Sequence, residues 1–277
     1  MHKCKFCKKK VFPVKVADYL KRSGYGIFYD CFNCKICINN KISKKIYTSS
    51  KKNLNSYLKK DILYYLKSLF LFFYFFRLTK YSSKKKKIIL DYGSGSGEFS
   101  NIISNRYNKV FVTDFVFNKS LYNENVSFIH TKKIFVKTYK NKFDIIFLRH
   151  VLEHIHEFDL LLPKLKYLLR NNGTIIIEVP NYNSFWKSIL KSKWPGYFYP
   201  FHHYVFSRSF LTKRFKDHNF KLVKVNLVEP PIFGSYFLSL GINRSFSKIL
   251  SIFIYPLQLI ISKFNSSSEG ILFILKK

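Results

Sequence analysis

The stretch that decides the fold is KIILDYGSGSGEF, residues 87–99. Its apolar first half predicts a buried strand. The three alternate glycines that follow an acid predict a tight turn where the backbone passes close to a ligand. Residues 99–106 have a helical pattern, so the turn connects a strand to a helix. In open α/β sheets, nucleotide-like ligands bind at such turns, against the amides of the helix N-terminus.

A second acid follows at the end of the next predicted strand, Val110–Asp114, where it can reach ribose hydroxyls. The two segments together resemble class I S-adenosylmethionine (SAM)-dependent methyltransferases. Dinucleotide-binding dehydrogenases more often have a G-x-G-x-x-G turn. The paired acid disfavours a glycine turn without a ligand. The resemblance implies that SAM is the cofactor, bound by Asp91, Gly93, Ser94, Gly95, Gly97, Asp114, Phe115 and Arg149.

The strand predicted over residues 142–148 leads into RHVLEH, residues 149–154. This segment resembles the VLEH motif of methyltransferases that act on small molecules, quinones and sugar-type substrates. In that fold the end of the fourth strand faces the methyl-transfer centre. The resemblance therefore implies that His150 binds the acceptor and that His154 is a catalytic base oriented by Glu153. Alternatively, Glu153 and His154 only hold the turn by hydrogen bonds, because methyl transfer often needs no base.

Residues 194–207 mix aromatic residues with proline and glycine, which predicts an irregular loop that covers the pocket. Within it, Pro200, His202, Phe206 and Ser207 match a P-x-H-x-x-x-F-S segment of the same subgroup. The resemblance implies that His202 takes part in catalysis and that His203 and Tyr199 bind the acceptor. In the alternative interpretation, stacked rings hold the loop together and one histidine is satisfied inside it.

Strands and helices alternate from residue 86 to residue 180, as in an α/β fold. Further strands are predicted at 126–130, 174–181, 220–228 and 270–276, and helices at 157–170 (ended by 171–173) and 208–218 (N-capped by Ser207). A hairpin of the last two strands would complete a Rossmann-like, seven-stranded, mostly parallel sheet with helices on both faces, as the resemblance implies. Many relatives have an adenine-binding acid after the third strand, but residues 130–132 are His, Thr and Lys.

Five cysteines lie near the N-terminus, and four of them form two C-x-x-C pairs: Cys4 with Cys7 and Cys31 with Cys34. Such pairs can hold one tetrahedral Zn²⁺ ion, and the 23-residue spacer can form a hairpin, so a structural zinc ribbon is predicted. Cys37 leaves open a different second pair, Cys34 with Cys37. A set of free thiols is the other alternative. The predicted domains are the zinc ribbon (1–50), a helical connector (51–83) and the methyltransferase domain (84–277).

The formal net charge of +34 is extreme and predicts attraction to anionic partners. The lysines are spread over the whole chain, which favours a general compositional bias over a nucleic-acid site. Two apolar segments, 62–76 and 249–261, are too short to span a bilayer. We expect helices packed on the sheet there, with helices on an anionic membrane surface as the alternative. Reduced cysteines and a polar N-terminus predict a cytoplasmic location, with contact at the inner membrane face as an addition.

Three hypotheses follow for the function. The first is a SAM-dependent methyltransferase that acts on a small-molecule, sugar or lipid-linked acceptor, such as a precursor of a cell-surface polysaccharide. The second is an RNA methyltransferase that holds phosphates with its basic surface and zinc ribbon. The third is a non-catalytic scaffold with the methyltransferase fold.

Overall fold

The structure, a computed structural model, describes residues 2–18, 24–40, 72–73, 78, 87–104, 109–115, 118–230, 232–264 and 267–277. The connector helix predicted over 62–76 lies outside these residues except for Phe72 and Phe73, which are helical. Leu78 is buried against the main sheet beside Ile89.

The main sheet has seven strands. In chain order they are β4 (Ile88–Tyr92), β5 (Lys109–Thr113), β6 (Val126–Phe128), β7 (Phe143–Arg149), β8 (Leu169–Pro180), β10 (Lys221–Val228) and β11 (Gly270–Lys276). Their order in the sheet is β10-β11-β8-β7-β4-β5-β6. The pairs among β4 to β8 are parallel, whereas β11 is antiparallel to both β8 and β10. The predicted fold class and the predicted C-terminal hairpin are thus confirmed.

Six helices are described: α1 (Glu98–Ser104), α2 (Phe158–Leu168), α3 (Phe185–Leu190), α4 (Arg208–Asp217), α5 (Phe233–Ser239) and α6 (Arg244–Phe264). α1 packs on one face of the sheet, and α2 and α4 pack on the other, because alternate strand residues such as Ile89 and Leu90 enter separate apolar cores. The predicted N-cap of α4 is confirmed, since the Ser207 hydroxyl accepts a hydrogen bond from the Phe210 amide.

The boundary between α2 and β8 differs from the prediction. The helix was expected to continue to residue 170 and to stop at the Asn-Asn-Gly segment, but it ends at Leu168, and β8 begins at Leu169. The segment lies inside the strand, where Asn172 has a φ angle of 61°. Arg170 forms an ion pair with Asp144 of β7 at 3.1 Å, which ties the start of β8 to its neighbour.

A second, antiparallel sheet has four strands. β1 (Phe12–Ala17) and β2 (Tyr25–Cys31) form the predicted hairpin between the cysteine pairs, and β3 (Ile36–Ile38) follows. The fourth strand, β9 (Tyr204–Phe206), pairs with β3 and comes from the segment that was predicted to be an irregular loop. The N-terminal module and the predicted cover of the active site therefore share a sheet.

Helix α6 differs most from the prediction. It has 21 residues, whereas the apolar segment was expected to cover 249–261 only. Large apolar side chains point outward along one face: Phe246, Ile249, Phe253, Leu257, Ile260 and Phe264 are each 47% exposed or more. The inward face carries the buried polar residues Ser247, Gln258 and Ser262. By length and composition alone, Ser245–Phe264 is long and apolar enough to cross a membrane, which is weak evidence for a span.

Candidate functional site

The glycine turn after β4 leaves room for a ligand at one position. Gly93, Gly95 and Gly97 all have positive φ angles, between 58° and 79°. A Cβ atom on Gly93 would lie 2.6 Å from a methyl group of Val151, and one on Gly97 would lie 2.6 Å from the ring of Tyr122. A Cβ atom on Gly95 would have no atom within 4 Å among the described residues. The turn is therefore packed at both ends and open at its centre.

Asp114 brings a carboxylate to this open centre. One of its oxygens accepts a hydrogen bond from the Gly95 amide at 2.8 Å, and the other accepts one from the Phe115 amide at 2.6 Å. The carboxylate is buried, whereas the Phe115 side chain is 67% exposed. Both carboxylate oxygens are thereby fixed at the centre of the turn, and a carboxylate at this position is the kind of group that accepts hydrogen bonds from ribose hydroxyls.

Asp91 is the second buried acid at the turn, and it accepts a hydrogen bond from the Ser100 hydroxyl at 2.6 Å. Burial raises the pKa of Asp91 to about 6, although the Ser100 hydrogen bond and the charge of Arg149 act in the opposite direction. This carboxylate therefore changes its charge near neutral pH.

Arg149, at the end of β7, closes the cleft opposite the glycine turn. The cleft measures about 170 Å³ and is lined by Asp91, Gly93, Ser94, Ser96, Glu98, Phe99 and Arg149. The guanidinium group lies 4.6 Å from the centre of the Phe99 ring and forms an ion pair with Glu178 at 3.3 Å. It is thereby held in the wall of the cleft as a fixed positive charge.

His150, the next residue, lies between two acids. Its ring nitrogens are 3.4 Å from Glu153 and 3.5 Å from Glu178. Burial by itself lowers the pKa of His150, but the interactions with Glu153 and Glu178 outweigh it and raise the pKa to about 10. Its φ angle of 52° is unusual for a residue other than glycine, and such backbone strain is concentrated at functional sites.

Glu153, His154 and His202 form a cluster: each offers one ligand atom, and these atoms lie within 4.8 Å of one another. The rings of His154 and His202 are 4.6 Å apart. Burial and the neighbouring His154 lower the pKa of His202 to about 3, so this ring is neutral. Burial raises the pKa of Glu153, but nearby His150 and the other two histidines lower it below its ordinary value, so Glu153 is ionised. The structure thus brings together the three residues predicted to be catalytic.

His203 and Tyr199, the other two residues predicted to bind the methyl acceptor, lie in different parts of the structure. His203 donates its backbone amide to the Glu153 carbonyl at 2.8 Å, and its ring lies against His156. Burial and the neighbouring His156 lower the pKa of the His203 ring to about 4. Tyr199 packs against Gly26 of β2, where a Cβ atom would lie 2.3 Å from the tyrosine ring. Its side chain is therefore directed to the N-terminal hairpin and not to the histidine cluster.

The four predicted zinc ligands also lie together. The sulfur atoms of Cys4 and Cys34 are 3.9 Å apart, those of Cys7 and Cys31 are 3.6 Å apart, and all four thiols lie within 4.8 Å of one another. Cys37 belongs to another environment, where its sulfur lies 3.7 Å from the Lys187 ammonium group. The second cysteine pair of the cluster is therefore Cys31 with Cys34, and Cys37 lies outside the cluster.

A sequence model described as "Methyltransferase domain" matches residues 60–225, which is more than half of the chain. The chain belongs to this methyltransferase family. The match includes the glycine turn, Asp114 and the histidine cluster. No curated protein matches the chain.

Solved structures support the fold of this methyltransferase. A SAM-dependent methyltransferase from Archaeoglobus fulgidus has a TM-score of 0.51 and 18% identity, over 76% of this chain and 94% of that one. The 1,6-didemethyltoxoflavin-N1-methyltransferase of Burkholderia thailandensis, with bound S-adenosylhomocysteine, has a TM-score of 0.50 and 12% identity, over 89% and 97%. A SAM-dependent methyltransferase from Mesorhizobium loti has a TM-score of 0.50 and 10% identity, over 73% and 96%. At these identities the likeness shows the SAM-dependent methyltransferase fold alone.

Several residues of the methyltransferase site were not predicted. Tyr122 covers the glycine turn, and its hydroxyl lies 2.7 Å from the Ser94 hydroxyl. Phe99 and Ser100 hold Arg149 and Asp91, and Glu178 binds both Arg149 and His150. Glu178 had a signal in the sequence, because it is an acid within an otherwise apolar buried strand, and such acids are rarely buried without a partner.

Proposed function

We propose that the protein transfers a methyl group from SAM to a small-molecule, sugar or lipid-linked acceptor. The observation that carries this proposal is the Asp114 carboxylate, which is fixed beside the open Gly95 position of the glycine turn. Family membership agrees with it. The acceptor class is the part of the proposal that rests on the VLEH resemblance.

The residues of the cleft and of the neighbouring glycine turn fit the chemical groups of SAM. Asp114 would accept hydrogen bonds from the ribose hydroxyls, and Asp91 would attract the ammonium group of the methionine part. Arg149 would place its positive charge near the methionine carboxylate. Gly95 allows the cofactor to approach the backbone, because a side chain there would fill the open space.

Methyl transfer is an in-line displacement. A lone pair of the acceptor forms the new bond to the methyl carbon, and the carbon–sulfur bonding pair stays on sulfur, which becomes neutral. A hydroxyl acceptor also loses its proton, and a neutral imidazole can take it. His154 donates its Nδ1 hydrogen to the Phe201 carbonyl at 3.0 Å, because a carbonyl can only accept. Nε2 of His154 is therefore the atom that would act as the base, with Glu153 beside it.

Calorimetry with SAM and S-adenosylhomocysteine tests the cofactor assignment. We expect binding of one molecule per chain with an affinity in the micromolar range. The melting temperature should rise with ligand concentration, because a ligand that binds only the folded state stabilises it. No heat of binding together with an unchanged melting temperature would contradict the proposal.

The affinity for S-adenosylhomocysteine is expected to fall about tenfold between pH 7 and pH 5. Because the pKa of Asp91 is raised to about 6, this carboxylate is mostly ionised at pH 7 and mostly protonated at pH 5. The protonated form no longer attracts the ammonium group. Calorimetry at pH 5, 6 and 7 measures the effect. Asp91→Asn should bind weakly at each pH with a flat profile, and an equal affinity of the unaltered protein at all three values would exclude this role for Asp91.

We propose in addition that the four-cysteine cluster holds a structural Zn²⁺ ion. Four thiolates complete a tetrahedral site and leave no open position for chemistry. The ion would fasten the two turns at one end of the β1–β2 hairpin and so support β3 and β9.

Helix α6 supports a location at an anionic membrane surface. Its outward face is apolar and its inward face is polar, the reverse of a helix on a water-soluble surface. Gln258 and Ser262 hold the inward face through hydrogen bonds to Glu229 and Trp186. The net charge of +34 is complementary to anionic lipids. A lipid-linked acceptor would be reached from such a position, on the predicted inner face of the membrane.

Serine substitution of Phe253 and Phe264 is expected to reduce binding to phosphatidylglycerol vesicles by about a hundredfold. Burial of one such side chain contributes about 1.5–3 kcal/mol, or roughly tenfold or more in partitioning. Both rings are at least 76% exposed, so the substitutions should leave the folded structure intact. Cosedimentation measures the partitioning, with Leu160→Ser, an exposed apolar residue of α2, as the matched control. Equal binding of the double variant and the control would argue against a membrane role for α6.

A further inference from the structure

Three side chains that are capable of binding a metal meet just after the end of β7. Glu153 and His154 lie in the short 3₁₀ turn after β7, residues Leu152–His154. His202 comes from the segment just before β9, about 50 residues later in the chain. One ligand atom of each lies within 4.8 Å of the others.

Both histidines are oriented by backbone carbonyls. Nδ1 of His154 lies 3.0 Å from the Phe201 carbonyl oxygen, and Nδ1 of His202 lies 2.9 Å from the Gly196 carbonyl oxygen. A carbonyl accepts only, so each Nδ1 carries the hydrogen, and Nε2 carries the lone pair in each neutral ring. Nε2 of His202 lies 3.9 Å from a Glu153 carboxylate oxygen. Metal-binding histidines are commonly held by such a bond from the other ring nitrogen to a carbonyl.

Glu153 is fully buried, and neither of its carboxylate oxygens has a hydrogen-bond partner among the described residues. His150 and His202 attract it from 3.4 Å and 3.9 Å, without the geometry of a hydrogen bond. His150 is the charged partner of this carboxylate. A buried carboxylate without hydrogen bonds is still costly, and proteins also use such groups to coordinate a metal. A side chain that only held the turn would be expected to form hydrogen bonds.

We propose that Glu153, His154 and His202 bind a divalent transition-metal ion. Two imidazoles and one carboxylate suit Zn²⁺, Fe²⁺ and Co²⁺, and three protein ligands leave a position open for a further oxygen ligand. Two ligands at about 2.1 Å from a tetrahedral metal lie about 3.4 Å apart. The observed 3.9 Å between His202 and Glu153 therefore needs to shorten by about 0.5 Å. The other ligand atoms, which lie within 4.8 Å of one another, need to approach by about 1.4 Å at most.

This inference deepens the proposed function and, for its role in the reaction, rests on it. A metal ion at this position would bind an acceptor oxygen and hold it toward the cleft, which narrows the acceptor class to molecules with an oxygen donor. Coordination lowers the pKa of a bound hydroxyl, so its proton can be released without a histidine base. The two histidines would then act as ligands in place of the base role considered above.

Cobalt(II) is the probe, because its visible spectrum separates this site from the cysteine cluster. The protein is loaded with only one Zn²⁺ per chain, enough to fill the cysteine cluster, and is then titrated with Co²⁺; bound metals are counted by mass spectrometry. We expect one Co²⁺ per chain with d–d absorption and without the intense sulfur-to-cobalt charge-transfer bands of a thiolate site. Glu153→Gln and His202→Gln should each weaken Co²⁺ binding by about tenfold or more, since even changes around metal ligands cost that much. The matched control, His156→Gln, should bind as the unaltered protein does.

A titration in which no Co²⁺ binds beyond the zinc content overturns the proposal. So does Co²⁺ binding that survives both Glu153→Gln and His202→Gln, each verified as folded by its melting curve. Binding of S-adenosylhomocysteine is measured on the same samples. If the unaltered protein binds Co²⁺ but not S-adenosylhomocysteine, the proposed function is wrong. If it binds S-adenosylhomocysteine but not Co²⁺, the proposed metal site is wrong.

Discussion

Replacement of Asp114 by Ala is expected to lower the affinity for S-adenosylhomocysteine by about a hundredfold or more. The variant loses the carboxylate that we propose binds the ribose hydroxyls, and each hydrogen bond to a charged group contributes about 1.5–3 kcal/mol. It also removes the acceptor of the Gly95 amide, so the glycine turn loses the bond that fixes its open centre. Calorimetry measures the affinity directly.

Two companion variants separate these effects of Asp114. Asp114→Asn keeps an oxygen for the Gly95 amide but loses the charge, and we expect an intermediate affinity. Asp217→Ala removes an acid from α4, where it pairs with Arg214, and should leave the affinity unchanged. If Asp114→Ala bound the cofactor as well as Asp217→Ala does, the cofactor assignment would be wrong.

Cys4→Ser is expected to abolish zinc binding by the four-cysteine cluster and to destabilise the protein strongly. Structural zinc in small modules contributes apparent binding free energies of about 10–16 kcal/mol. Even a loss of about 4 kcal/mol would lower the melting temperature by about 8–16 °C in a domain of this size. Phe6, which lies between Cys4 and Cys7, packs against Phe158 of α2 and Phe210 of α4, so the loss should spread into the main domain.

Metal analysis and melting curves measure this result, and Cys37→Ala is its matched control. Cys37 is equally buried but lies beside Lys187, outside the cluster, so its variant should retain one zinc per chain. Loss of zinc in Cys37→Ala with retention in Cys4→Ser would reverse the ligand assignment.

Local patterns were sufficient to predict the fold. The apolar run before the glycine turn, the acid after β5 and the alternation of β10 are each short-range signals, and each element forms where its pattern indicates. The predicted end of α2 was wrong because residues 169–173 suit either a helix end or a strand start. The ion pair between Arg170 and Asp144 comes from tertiary packing, which a local pattern does not contain.

Residues of the candidate site were predicted only where they belong to a recognisable sequence motif. Two separate motifs predicted Glu153, His154 and His202 as catalytic residues. Neither motif predicted that backbone carbonyls would fix both histidines. Tyr122 had no local signal, because its role depends on the turn folding back over Gly97. The outward apolar face of α6 could not be foreseen, since periodicity identifies an apolar face without telling which way it points.

The pairing of β3 with β9 limits how this protein can be shortened. Residues 36–38 are hydrogen-bonded to residues 204–206, and a chain trimmed to the matched methyltransferase region would leave β9 without this neighbour. An unprotected strand edge of Tyr, Val and Phe is a template for pairing between molecules. Such a truncated protein should aggregate on purification. Because His202 lies just before β9, loss of the N-terminal forty residues should also disturb the cluster of Glu153, His154 and His202.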